Sequence, residues 1–234
     1  MKKVSLALWC GLVIGLAAGS SPADILMDDD TQVAANELDT VLHLSKFDTS
    51  LGTLTGVWVQ IELRLKNAEI EMDNDASQAQ NGTGWVVNTA SSLTSGVSLV
   101  KTDYDSIDKG DLAINQSQVF LLSATSGDPT GQFDATGAGD YAAWQPGVLT
   151  SGDSGNILES AWDDYKGTGV FTITVNTTYL TSATFAGSNG FFQGNTPDGE
   201  LYGKVIYTYV VPEPATLSLL ALGGIALLLR RRRR

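Results

Sequence analysis

The sequence predicts an all-β protein: a β-sandwich of Greek-key-like connectivity, with one short helix near 157–165 and a C-terminal transmembrane helix. Three observations carry this. Apolar and polar residues alternate with period 2 in several separate runs, turn-forming Gly, Asp, Asn and Ser clusters divide those runs, and no long stretch shows helical spacing. With 43% hydrophobic and 17% charged residues in 234, the chain is too apolar for wholesale disorder.

Taken in order, residues 1–23 read as a secretory signal peptide. Lys2 and Lys3 precede an apolar run, Val4 to Ala18, too short for an ordinary membrane span, and small residues follow through Ala23. Cleavage is expected after Ala23, with Gly19 or Ser21 as alternatives. The single cysteine, Cys10, lies inside this leader, so residues 24–211 can build no disulfide, thiolate metal site or thiol nucleophile.

Residues 24–211 form the expected extracellular domain. Val57, Val59, Ile61, Leu63 and Leu65 alternate with Trp58, Gln60, Glu62, Arg64 and Lys66, which describes a strand with one buried face. After Asn67 the apolar set shifts phase to Ala68, Ile70 and Met72, and a β-bulge there would explain the shift. Phe171, Ile173 and Val175 form another such run. In the last, Val205 to Val211, both faces carry apolar residues, as in a central strand. Weaker strands are expected at 38–44, 84–89, 97–101, 112–122 and 183–192. Ile157, Leu158, Ala161, Trp162 and Tyr165 instead share one face at helical spacing, and give the short helix.

The C-terminus closes with Val211-Pro212-Glu213-Pro214, then Ala215 to Leu229 without a charge, then Arg230, Arg231, Arg232, Arg233 and Arg234. An arginine block resists translocation and holds the preceding domain outside the cytoplasm. At ~1.5 Å rise per residue the apolar stretch reaches ~22 Å, short of the ~30 Å hydrocarbon core. A transient anchor suits it better than a permanent one. These three parts, in this order, resemble the PEP-CTERM sorting signal. That resemblance implies signal peptidase and then a membrane-embedded exosortase as processing partners, with the inner membrane holding the chain transiently. It also implies secretion or display at a Gram-negative cell surface, often beside exopolysaccharide.

A second resemblance lies at Lys46-Phe47-Asp48-Thr49-Ser50-Leu51-Gly52-Thr53-Leu54, which is similar to the opening of the choice-of-anchor E domain. It implies an extracellular β-domain with no assigned activity. Locally, Phe47 and Leu51 can staple a turn that sets the register of the following strand.

Charge narrows the partners. Seven of the 14 basic residues and one of the 26 acidic ones sit in the two ends, which leaves the middle with 7 basic and 25 acidic side chains, a net of −18. Such a surface repels phosphate backbones, so nucleic acid is excluded as a partner.

Five features invite chemistry. Gly152-Asp153-Ser154-Gly155 resembles a serine-protease motif, but Asn156 replaces its next glycine, and the only histidine, His43, stands in no matching context. A turn with Asp153 or Ser154 as N-cap of the short helix is the plainer reading. Asp103, Asp105, Asp108 and Asp111, around Gly110, offer hard oxygen ligands for a weak Ca²⁺ site, though without the EF-hand spacing. Asp73-Asn74-Asp75 and Asp28-Asp29-Asp30 are further acidic clusters. Their alternative is solvated loops. Trp58, beside Gln60 and Glu62 on the polar face of its strand, is the candidate for glycan binding, whereas Trp162 belongs to an apolar stripe. No catalytic residue and no cofactor beyond weak Ca²⁺ is assigned. The expected function is a non-catalytic structural or adhesive component of the extracellular matrix or biofilm, with an exopolysaccharide-binding module as the alternative.

Overall fold

The computed structural model describes residues 23–125, 133, 139–187 and 189–212. Contacts divide the chain into Ala23–Val210 on one hand, and Met1–Pro22 with Val211–Arg234 on the other. Of the second unit only Val211 and Pro212 are described, so the expected leader (but for Ala23) and the expected transmembrane helix lie outside the described residues. No helix among the described residues is long and apolar enough to cross a membrane.

The strands are β1 (Ala23–Ala34), β2 (Asp39–Ser45), β3 (Thr53–Lys66), β4 (Ile70–Asn74), β5 (Gln80–Ser95), β6 (Ala113–Leu122), β7 (Tyr141–Trp144), β8 (Leu149–Asn156), β9 (Val170–Phe185), β10 (Gly190–Gly194) and β11 (Asp198–Val210), with 3-10 turns at Lys109–Asp111 and Glu159–Tyr165. They form two four-stranded sheets, β1-β11-β3-β8 and β2-β9-β5-β6, and a smaller sheet, β10-β4-β7. Every strand pair is antiparallel.

The pairing follows one rule. Setting the small sheet aside, first pairs with last (β1 with β11), second with second-to-last (β2 with β9), third with third-to-last (β3 with β8), and β5 with β6. The chain is therefore one long hairpin of strand pairs, rolled up until β11 also meets β3 and β9 meets β5. This is the double Greek key of a jelly roll.

The core lies between the two large sheets. Val57, Val59, Ile61, Leu63 and Leu65 are buried on β3, facing Leu42 and Leu44 of β2 and Ile173 and Val175 of β9. Gly203 of β11 sets how closely the sheets approach, because a Cβ there would come within 2.5 Å of Leu42 Cδ1. Trp162 packs against this core and donates its indole N–H to the Ile157 carbonyl at 2.9 Å.

Several expectations need correction. Asn67 is not at a bulge: it has φ 55° and turns the chain from β3 into β4, which belongs to a different sheet. The phase shift after Asn67 is thus a change of sheet. The register breaks lie elsewhere, between Thr208 and Tyr209 and between Ala90 and Ser92. Residues 97–101 bury Val97 and Leu99 but form no strand, only isolated bridges at Val100 and Lys101. The expected strand at 183–192 is the end of β9 plus the start of β10. Leu51 is 40% exposed, whereas Phe47 is buried between Tyr207 and Tyr209, with ring centroids at 5.7 and 5.2 Å. The short helix is a 3-10 helix that starts at Glu159 without a side-chain cap.

Candidate functional site

The Gly-Asp-Ser-Gly segment is strand, not turn. It lies in β8, where Gly152 pairs with Glu62 and Gly155 with Val59. Both glycines have packing reasons: a Cβ at Gly152 would overlap the Ile61 carbonyl oxygen, and one at Gly155 would meet Lys101 Cδ at 2.6 Å. Neither Asp153 nor Ser154 caps the helix, whose N-cap is Leu158. Ser154 is on β8 at the edge of one sheet, and His43 is on β2 at the edge of the other. The fold does not gather them into a nucleophile–base pair. His43 is exposed, and its backbone N–H donates to Asp30 Oδ2 at 2.8 Å.

What β8 does assemble is an ion cluster around Lys101. The Lys101 ammonium lies 2.5 Å from Asp153 Oδ2 and 3.3 Å from Asp105 Oδ2. The hydrogen bond to Asp153 holds the ammonium well above the ordinary lysine range, against the opposing effect of burial and with Asp105 adding to it. The Ser106 backbone N–H, and then Lys101, hold the Asp105 carboxyl below the ordinary aspartate range. Gly155 leaves room for the lysine stem to lie across the strand. Sequence reasoning missed this hub, although Lys101 continues the inward phase of Val97 and Leu99, a position that demands a partner for a charge.

The remaining loop aspartates are occupied locally. Asp108 and Asp111 form a capping box around the turn Lys109–Asp111: Asp108 Oδ1 accepts from Gly110 N at 2.5 Å, and Asp111 Oδ2 accepts from Asp108 N at 2.9 Å. Asp103 Oδ1 accepts from Asp105 N at 3.2 Å. Asp103, Asp105, Asp108 and Asp111 thus divide between a turn beside Lys101 and the capping box. Among the described residues no three His, Cys, Asp or Glu side chains are grouped to hold a metal. Asp73 and Asp75 are buried along with Asp140. Between the first two, Asn74 ties the end of β4 to its surroundings by donating to the Gln78 and Ser123 carbonyls.

Trp58 is half-buried on the outer face of β3, in register with Ile206 on one side and Asn156 on the other. By register Met27, which is 56% exposed, continues the row beyond Ile206. Along the same face the Arg64 guanidinium stacks on the Tyr202 ring at 4.1 Å, with Glu62 paired to it at 2.7 Å. This gives Trp58 an apolar row beside a polar one. Trp85 holds the corresponding place on the outer face of the other sheet, between Ser117 and Ser182.

Of the sorting motif, Val211 and Pro212 are described, the second exposed. Glu213, Pro214 and Arg230 to Arg234 lie outside the described residues. Residues 210–234 match the PEP-CTERM protein-sorting motif, which marks the chain as an exosortase-sorted protein of the extracellular surface. No curated protein matches the chain. Among solved structures, it is similar to a chain of Turnip yellow mosaic virus, at 12% identity over 83% of this chain and 98% of that one, TM-score 0.21. A chain of Desmodium yellow mottle tymovirus matches at 7% identity over 83% and 93%, TM-score 0.19. One of infectious bursal disease virus, Gx strain, matches at 10% over 92% and 50%, TM-score 0.20. Likeness at that level carries no argument about this chain.

Proposed function

We propose that this is a non-catalytic structural or adhesive component of the extracellular matrix, delivered by the exosortase route. The observation that carries the reading is the sorting motif at residues 210–234. The domain supports it in kind. Its one protease-like motif is explained by strand packing, and its loop aspartates by capping and ion pairing. The resemblance of residues 46–54 to a choice-of-anchor domain points the same way. The test is to express the full chain, tagged within the domain, in a cell with exosortase and in the same cell without it. Matrix or surface recovery that requires both exosortase and Glu213 supports the proposal. Enzymatic turnover of any substrate by the purified domain would overturn it.

Glycan binding is the second reading, favoured by the Met27–Ile206–Trp58 row beside Gln60 and Asn156. Exopolysaccharide pull-down that falls at least tenfold in Trp58→Ala supports it. Binding that survives the substitution removes Trp58 from the site, and no binding removes the reading.

A further inference from the structure

The two large sheets have four edges, and each exposes unpaired backbone N–H and C=O groups that can pair with another chain unless something blocks them; the small sheet's edge strands, β10 and β7, are only five and four residues long. Three of the four are blocked here. β1 carries Asp24, Asp28, Asp29 and Asp30. On β2, the outward N–H groups of His43 and Ser45 are taken by Asp30 and Asp28. β8 holds Asp153 in its ion cluster, and Thr102 N donates to the Asn156 carbonyl at its end.

Among the described residues β6 has only one such device, at its end, where Ser123 N donates to the Gly139 carbonyl at 2.8 Å. Its ten residues, Ala113–Leu122, contain no charge and no proline, and its register with β5 runs unbroken from Thr89↔Ala113 to Gln80↔Leu122. Asn115, Gln116, Ser117, Gln118 and Val119 are all exposed, so over 115–119 both faces of the strand are bare, while Ile114, Phe120 and Leu122 are buried in the core. Val119 is 57% and Leu121 79% exposed, and Leu180, across β5, is 57% exposed. At the free edge the described bond is local, Gln118 Nε2 to the Val119 carbonyl at 2.9 Å. Ala90 N donates to the Leu112 carbonyl, and with the unbroken register this gives the direction of the backbone: the even-numbered residues of β6 bond β5, and the odd-numbered ones turn their N–H and C=O groups outward.

We propose that β6 is a self-association edge, at which two copies of this chain pair antiparallel about a two-fold axis through Ser117. The charge pattern selects the occupant. A domain of net charge −18 repels its own copies over most of its surface, and β6 is an uncharged strand on which the copies can meet. The strand is also self-complementary about Ser117. A two-fold there sets Ala113 against Leu121, Ile114 against Phe120 and Gln116 against Gln118, so like meets like in every pair but Asn115 against Val119. The odd residues 113, 115, 117, 119 and 121, whose backbone groups point outward, then meet one another, which is the geometry that antiparallel hydrogen bonding needs. The result is one continuous sheet, β2-β9-β5-β6 joined to its own copy. This goes beyond the structural-component reading and does not rest on it, since a self-pairing domain could serve a sugar-binding role equally.

The compact unit Ala23–Val210, expressed as residues 24–211, allows the test. Sedimentation equilibrium is run up to about 0.5 mM, because a strand-edge contact is small and falls in the weak class. The expected result is a doubling of mass that Ser117→Lys abolishes, by setting two like charges face to face, with the thermal midpoint unchanged. Cysteine reports the register independently, because residues 24–211 contain none. Ser117→Cys should cross-link on mild oxidation, the paired Cα atoms being ~5.5 Å apart, and Thr150→Cys on the β8 edge should not. A monomer at every concentration, or a dimer that Ser117→Lys leaves intact, overturns the proposal. A dimer in which Ser117→Cys fails to cross-link overturns the pairing about Ser117.

Discussion

Asp30 of β1 accepts a hydrogen bond from the backbone N–H of His43 on β2, at 2.8 Å, across the gap between the two large sheets. Asp28 does the same for Ser45 at 2.7 Å, and Gln32 Nε2 steadies Asp30 through its other oxygen. Two carboxylates thus occupy donors that would otherwise form an open strand edge, and they fasten one sheet to the other.

Replacing Asp28 and Asp30 together by alanine should therefore have two effects. Stability should fall by about 1–3 kcal/mol, the range for a pair of solvent-accessible bonds to a charged acceptor. The freed β2 edge should also raise the tendency to associate. Thermal unfolding reads the first, and light scattering against concentration reads the second. The asparagine variants, which keep an acceptor, should lose less.

Gly152→Ala should destabilise the domain although the residue lies in an exposed edge strand, because the new Cβ would press on the Ile61 carbonyl of the paired strand. A loss of about 1–3 kcal/mol is expected from such overpacking. Ser154→Ala, two positions further along and exposed, should change nothing. Denaturant unfolding of the two variants distinguishes a packing role for the motif from a catalytic one.

The loop aspartates give a third test. Asp108→Ala should cost about 1 kcal/mol, by loss of the cap, and by the same amount with or without millimolar Ca²⁺. A calcium-dependent rise in the thermal midpoint, lost in Asp105→Asn with Asp108→Asn, would instead make these residues metal ligands.

Alkaline pH should unfold the domain more readily than its acidity suggests. The hydrogen bond to Glu71, and then burial, push the Tyr141 phenol up to about 12. Burial raises Tyr165 and Tyr207 as well, and Lys101 is raised by Asp153. A group with a raised folded-state pKa contributes stability that is complete below its unfolded value and is lost as pH climbs through the folded value. For tyrosine and lysine the unfolded values are about 10, so stability should decline from about pH 10 upward. Lys101→Met should flatten part of that decline, since the methionine cannot titrate. At the acid end, Asp48 and Asp105 are held low chiefly by backbone N–H groups, those of Ser50 and Ser106. Their contribution persists above the ordinary aspartate range and fades only below it. Midpoints measured across both limbs check each sign.

Local pattern determined much of this protein. Alternation placed β2, β3, β6 and the later part of β11 in the sequence, and the order of proline motif, apolar run and arginines marked the sorting tail, because each is written in consecutive residues. What the tertiary structure alone decided is where patterns depend on a distant partner. β1 was illegible because its inward positions hold Asp28 and Asp30, which are tolerated there only when β2 supplies their donors. β8 looked like a turn because its glycines answer to Ile61 and Lys101, residues far away in the chain. Lys101 gave no sign of Asp153, 52 positions on. The open edge of β6 is likewise invisible along the chain, since an edge exists only once the neighbouring strands have taken their places.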